Sequence, residues 1–201
     1  MKHTASVGLA LALTLALVAC VDTTGLTKEI HKDPHPLSNP NGAVIVSEFG
    51  DLQCPSCRAS HELVTKPLLQ KYGSVVRFEF HHYPLRSLHR YALDAAEAAE
   101  CAGDQGKFWE FLDLNYAEQD KLSASALDTW GEKLKLDMPL YKRCRASHFK
   151  RAAIMAEYDA GEQGGVKGTP TYFVNGKQTP ATVSDLGKAI EEIVKGQQKM
   201  L

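Results

Sequence analysis

The chain has 201 residues, 44% of them hydrophobic, and carries 23 Lys and Arg against 24 Asp and Glu, a formal net charge of −1. That balance provides no field for nucleic acid or for acidic ligands. The length suits one domain with a full core, and no repeat or charge block divides it.

At the N-terminus Lys2 precedes an apolar run from Val7 to Val18, overlapping Leu17-Val18-Ala19-Cys20. The run is too short for a permanent membrane span, which needs about 20 residues, and reads as an export signal. Its last four residues resemble a bacterial lipobox, in which the signal is cut before a cysteine that then carries lipid. This predicts a signal peptide over 1–19, lipid on Cys20, and a mature chain of about 182 residues anchored to a bacterial membrane and facing the periplasm or cell exterior. An ordinary signal peptide with a chance cysteine is the competing reading. Five cysteines in an exported chain leave one odd thiol, a liability in an oxidising compartment. Lipid on Cys20 removes it. Cys54 and Cys57 then form one pair, and Cys101 and Cys144 are left either as a structural disulfide or as two buried free thiols.

Residues 20–41 are polar, punctuated by Pro34, Pro36 and Pro40, and read as a tether. Ala43 to Phe49 is a continuous β-branched and apolar run, which predicts a central strand covered on both faces. Cys54 to Tyr72 follows as a helix, kinked by Pro67 and ended by Gly73. Val75 to His82 is the second strand, and the intervening helix makes the pair parallel.

Leu88 to Gly161 is rich in Ala, Leu, Glu and Lys, with breaks at Gly103, Gly106, Gly131 and Pro139. It predicts an inserted helical domain over 88–162 of about four helices. The flanking parts, 42–87 and 163–201, would form one sheet domain. Within the second part Asn175-Gly176, between Thr171–Val174 and Lys177–Thr179, is a strong hairpin signal. Ser184 to Lys195 reads as a final amphipathic helix with Ser184 as its N-cap.

The chemistry concentrates in Cys54-Pro55-Ser56-Cys57. Two cysteines at this spacing can close into a disulfide or, reduced, offer a thiolate for exchange. Pro55 suits the first position of a helix, which puts Cys54 where unpaired N–H groups and the macrodipole lower a thiol pKa from about 8.5 toward roughly 3.5 to 7. Cys57, one turn further in, would be the buried resolving thiol. A zinc site would need a second close Cys or His pair, whereas Cys101 and Cys144 stand alone. A purely structural disulfide across so small a ring would remove little unfolded-state entropy.

Three blocks go further: Glu48 to Cys57 (EFGDLQCPSC), Cys101 to Trp109 (CAGDQGKFW) and Gly168 to Gly176 (GTPTYFVNG). In this order they resemble the DsbA-like thioredoxin-domain family of exported thiol-disulfide oxidoreductases, over roughly Ala43 to Lys195. The resemblance implies an α/β thioredoxin fold with an inserted helical domain. It also implies a cis Pro170 lying against Cys54, with the backbone of Thr169 open to an extended substrate strand, and an acidic Glu48 under the site to pass a proton to or from Cys57. Some members carry a disulfide like Cys101–Cys144. A strand-start role for Pro170 and a solvent-reaching Glu48 are the plainer alternatives.

The expected function is oxidation of client thiols on exported proteins, with no cofactor beyond the Cys54–Cys57 disulfide and no metal. An unknown redox partner would reset the site, and no nucleic acid is involved. Disulfide reduction or isomerisation is the alternative, and a redox-inert, peptide-binding lipoprotein is an alternative of another class. Arg58 and His61 are expected on a solvated helix face. His81, His82 and His89 lack a spacing that would gather copper ligands around the cysteines.

Overall fold

The computed structural model describes residues 23–26 and 38–198. The predicted signal peptide, Cys20 and most of the predicted tether lie outside the described residues. The described parts of that tether are docked. Arg143 donates to the Thr24 carbonyl at 2.7 Å, Leu26 packs on the core, and the Ser38 hydroxyl accepts from Phe78 N–H at 3.0 Å.

Four strands form one sheet in the order β2-β1-β3-β4, with β1 Val44–Gly50, β2 Val76–His82, β3 Thr171–Val174 and β4 Lys177–Thr179. β1 and β2 are parallel, as the connecting helix requires; β3 is antiparallel to β1 and sets Glu48 opposite Tyr172. The hairpin turns at Asn175 and Gly176, both at positive φ (45° and 77°), the combination that Asn-Gly tolerates and that matches strand twist. Asn175 also exchanges bonds with the backbone of Ile45, which ties the turn to β1.

β1 is central, but the expectation that both its faces are covered is corrected. Val44, Val46 and Glu48 are fully buried, whereas Ile45, Ser47 and Phe49 on the other face are half-buried. The reason is that only part of the second face is roofed. There α7 (Arg151–Gln163) is seated by Gly161, where a Cβ would come within 2.9 Å of the Phe49 and Tyr83 rings, and by Tyr158 stacked on Tyr83 at 4.4 Å.

The helix after β1 is not simply kinked. It runs as α1 (Pro55–Ser60), a π-helical turn over His61–Thr65, and α2 (Lys66–Tyr72). Pro67 has no N–H for the carbonyl of Leu63 and its ring crowds that carbonyl. The turn before it widens, and the Lys66 N–H reaches back to His61 O.

The insertion holds α3 (Ala92–Gly103), α4 (Phe108–Ala117), α5 (Ala124–Lys133), α6 (Met138–Ala146) and α7, so five α-helices are described where about four were expected. Gly131 is no break: it lies within α5, where the Tyr141 ring presses so close that a Cβ would be 2.9 Å away. The final helix, α8 (Val183–Gln198), begins earlier than expected. Its cap is Thr182, not Ser184, because the Thr182 Oγ1 accepts from Asp185 N–H at 3.0 Å and donates to the Asp185 carboxylate at 2.6 Å.

Candidate active site

Three elements converge on one spot: the C-terminal end of β1, the start of α1, and the segment entering β3. Cys54 is the N-cap of α1 with extended backbone (φ −74°, ψ 121°), Pro55 follows at the first turn, and the Cys54 carbonyl accepts from Arg58 N–H at 3.1 Å. Its thiol donates to the Thr169 carbonyl at 3.6 Å, and the Thr169–Pro170 bond is cis. The two sequence-distant stretches therefore meet, 115 residues apart in the chain.

The two thiols, free in this structure, are electrostatically unlike. Cys54 is lowered from near 9 to about 5, above all by the hydrogen bond from Cys57, then by Thr169 and the N–H groups of Cys57 and Ser56, against the opposing effect of burial. The Thr169 side chain, its Oγ1 buried beside the dithiol, acts to lower both thiols. Cys57 is fully buried and raised well above the usual thiol range, first by burial, then by its bond to Cys54 and by the charges of Glu48 and Cys54. Asp51 N–H donates to Cys57 Sγ at 3.4 Å. The pair is thus arranged to hold one proton on Cys57 and leave Cys54 as the thiolate.

Glu48 is 1% exposed, under the site and not at a solvent-reaching strand end. Burial raises its pKa, opposed by the Thr65 hydroxyl, the His61 charge and the Tyr172 hydroxyl. Thr65 donates to Glu48 Oε2 at 2.9 Å and lies 2.7 Å from the Tyr172 hydroxyl, which in turn is 2.9 Å from Ser60 Oγ. Glu48 Oε1 has no hydrogen-bond partner among the described residues.

The solvated-face expectation holds in part for Arg58 and fails for His61. Arg58 pairs with exposed Asp120 at 2.9 Å. His61 is 1% exposed: one helical turn after the fully buried Cys57 it lies on the same inward face, against the Tyr116 ring (centroids 5.1 Å) and 2.6 Å from Asp113. His81, His82 and His89 are separately engaged by Glu157, Glu100 and Asp51. No group of three or more His, Cys, Asp or Glu suited to a metal is found among the described residues.

Sequence reasoning missed the residues that hold the loop before Cys54. Asn115 of α4 donates to the Leu52 carbonyl at 2.6 Å, and Gln119 donates to the carbonyls of Leu52 (2.9 Å) and Cys54 (3.1 Å). Their four-residue spacing in an otherwise apolar helix face was the available signal. Asp51, fully buried, accepts from Gln53 N–H (2.7 Å) and Leu85 N–H (2.8 Å) and pairs with His89 Nδ1 at 2.8 Å. In the sequence Asp51 stands within Glu48 to Cys57 with nothing to mark these distant partners. Cys101 and Cys144, away from this site, are bonded to each other and join α3 to α6.

Over residues 31–192 the sequence matches the family model described as thioredoxin. The chain belongs to the thioredoxin family. Within it the fold is DsbA-like, with helices inserted between β2 and β3. A thioredoxin-like oxidoreductase from Silicibacter pomeroyi DSS-3 is 25% identical with a TM-score of 0.65, over 81% of this chain and 90% of that one. BdbD from Bacillus subtilis, oxidised, shares the fold at 21% identity and TM-score 0.69, over 87% and 95%. So does alpha-DsbA1 from Wolbachia pipientis, at 17% and 0.70, over 82% and 92%. Family membership and the buried Cys54–Cys57 dithiol give this site the parts that thiol–disulfide exchange needs.

Among curated proteins, the Na(+)/H(+) antiporter NhaA 3 of Salinispora tropica is 40% identical over 149 residues, which is 73% of this chain and 22% of that protein. The Na(+)/H(+) antiporter NhaA 1 of Mycobacterium sp. (strain KMS) is 30% identical over 91% of this chain and 32% of that protein. The chain therefore spans about a fifth to a third of the length of these relatives. No helix among the described residues is long and apolar enough to cross a membrane.

Proposed function

We propose that the protein oxidises the thiols of exported, cysteine-containing proteins, using the Cys54–Cys57 disulfide as the electron acceptor. The observation that carries this is the opposed perturbation of the pair, Cys54 down to about 5 and Cys57 up. A client thiolate attacks Cys54 Sγ, forming a client–Cys54 disulfide while Cys57 leaves and takes a proton. A second client thiolate then attacks the client sulfur and Cys54 leaves as a thiolate. The client loses two electrons and two protons, and the protein gains a dithiol. A stable Cys54 thiolate is a good leaving group and stabilises the reduced protein, which favours oxidation of the client. A redox partner must then remove the two electrons.

Glu48 is the group for the Cys57 proton. Its raised pKa keeps a proton available in a site otherwise closed to water, and its charge already couples to Cys57. Thr169 and Pro170 seat the client backbone. Beside them a cleft of about 400 Å³ is lined by Pro170, Thr171, Tyr172, Gln178, Thr179 and Pro180, and an extended segment there would lie across the β3–β4 hairpin next to the Thr169 backbone. Cys101–Cys144 serves stability alone. Cys20 carries the lipid that holds the protein at a membrane: Cys20→Ser should release it in soluble form, and an unprocessed, membrane-bound variant would remove that part.

The test is turnover of a reduced two-cysteine protein by the oxidised chain. Client disulfides should appear in step with Cys54/Cys57 thiols, and Cys57→Ser should accumulate mixed disulfides through Cys54. Reduction of client disulfides under the same glutathione poise, with no oxidation, would replace oxidase by reductase. Neither reaction would leave a redox-inert binding module.

A further inference from the structure

The segment from Leu85 to Tyr91, between β2 and α3, is bolted to the cysteine loop from both ends. Asp51 holds Leu85 N–H and the His89 ring, and Gln53, the residue before Cys54, accepts from Tyr91 N–H at 2.6 Å. Between these clamps Arg86, Ser87, Leu88 and Arg90 are exposed. Leu88 is 75% exposed, one of two large apolar side chains so placed among the described residues. The two arginines have no carboxylate partner among the described residues. Each rests instead on an aromatic ring, Arg86 over Tyr158 at 5.7 Å and Arg90 over Tyr91 at 5.3 Å. An arginine stacked in this way keeps its planar donor fork free and pre-aimed for a carboxylate. A fully buried aspartate spent on presenting an apolar side chain between two unpaired arginines beside the reactive thiol is a recognition surface in form.

We propose that this segment selects clients: it takes polypeptide segments in which glutamate or aspartate flanks the reacting cysteine, with an apolar residue against Leu88. The inference rests on the oxidoreductase reading and adds the substrate class to it. The carboxylates of the client meet Arg86 and Arg90, which raises encounter and orients the thiol onto Cys54.

The experiment uses the oxidised protein and dithiol peptides of one sequence in which the cysteine flanks are Glu, Gln or Lys, and it follows disulfide formation in the peptide. Flanking charge also shifts the peptide's own thiols, so the readout is the change in the Glu-to-Lys rate ratio on Arg86→Gln/Arg90→Gln. The ratio should fall by about five- to tenfold in the double variant at low ionic strength. In the parent it should shrink by a similar factor at about 1 M salt, where the screening length is about 3 Å. Leu88→Ser should slow the peptide bearing an apolar neighbour and leave one bearing serine there unchanged. The two arginines are exposed, and a melting curve of the variant checks its fold. An unchanged ratio in the folded variant overturns the proposal. So does loss of binding to phosphatidylglycerol vesicles with an unmoved peptide ratio, which would make the segment a membrane-facing patch. If no peptide is oxidised at all, the dithiol reading fails and the inference falls with it; if all are oxidised alike, only the inference falls.

Discussion

The two cysteine pairs are equally hidden from solvent and chemically opposite. Cys54, Cys57, Cys101 and Cys144 are exposed by 6%, 0%, 1% and 1% respectively, so burial does not separate a reactive thiol from a structural one. Their surroundings do. Cys101 lies inside α3 among Ala98, Ala99 and Ala102, bonded across 43 residues to Cys144 of α6. Cys54 lies at a helix start, with N–H groups, a threonine and a protonated neighbour converging on one sulfur. Reactivity comes from which donors face the sulfur, and the same degree of burial serves stability in one place and exchange in the other.

The sharpest way to break this contrast is to disable each pair in turn. Cys54→Ser should abolish exchange, a loss of more than about 10³-fold, while leaving the fold intact, since the remaining free thiol, Cys57, is fully buried and held protonated. Cys101→Ser with Cys144→Ser should do the reverse. In the chain-entropy model, opening a 43-residue loop removes about 4 kcal/mol of stability, less any strain relieved. Denaturant unfolding reads the stability loss, and exchange rates measured on the folded fraction should be those of the parent.

Glu48→Gln tests the proton step. It should slow client oxidation by roughly 10²-fold, the low end of general acid–base effects. Its stability effect has the opposite sign. A carboxyl with a raised folded pKa adds no penalty below the unfolded value near 4.5, gains one as pH rises through the interval up to the folded pKa, and keeps it above. The Gln variant should therefore unfold at higher denaturant than the parent at neutral pH and lose that advantage toward pH 4. The smallest expected effect is that of Thr65→Val, which removes the donor to Glu48 Oε2 and should lower stability by about 1 kcal/mol while raising the Glu48 pKa further.

Local chemistry carried most of the fold in the sequence. The β-branched run of β1, the Asn175-Gly176 turn and the Ala-rich insertion each have one dominant local preference, and those elements lie where that preference puts them. Where two residues competed, the pattern misled. Thr182 and Ser184 are both good caps, and the carboxylate of Asp185, three residues after Thr182, decides between them. Pro67 forbids one hydrogen bond without saying whether the helix will bend or widen. The expectation for Gly131 failed because the Tyr141 ring that needs the space is ten residues away.

The same limit applies to the site. Cys54, Cys57, Glu48 and Pro170 were legible because their chemistry is written in short motifs. Asp51, Thr65, Asn115 and Gln119 were not, since each such buried polar side chain takes partners that the chain brings from 17 to 107 residues away. His61 shows the cost of reading a side chain as solvated because it is polar: it stands four residues after the buried Cys57, and the helical period puts it on the same buried face.

The central claim is that the surroundings of Cys54, and not its accessibility, set its reactivity, and the ionisation of that single thiol tests it most directly. In the reduced protein, with Cys101–Cys144 intact, thiolate absorbance followed against pH should show one group ionising with an apparent pKa of about 5, and alkylation at low pH should label Cys54 alone. The linked stability has a definite window. With a folded pKa of about 5 and an ordinary value near 9, the thiolate contribution to the reduced protein is complete above about pH 9, partial at neutral pH, and lost as pH falls through about 5. A Cys54 that ionises near 9, with a reduced form no more stable at neutral pH than at pH 4, would contradict the account.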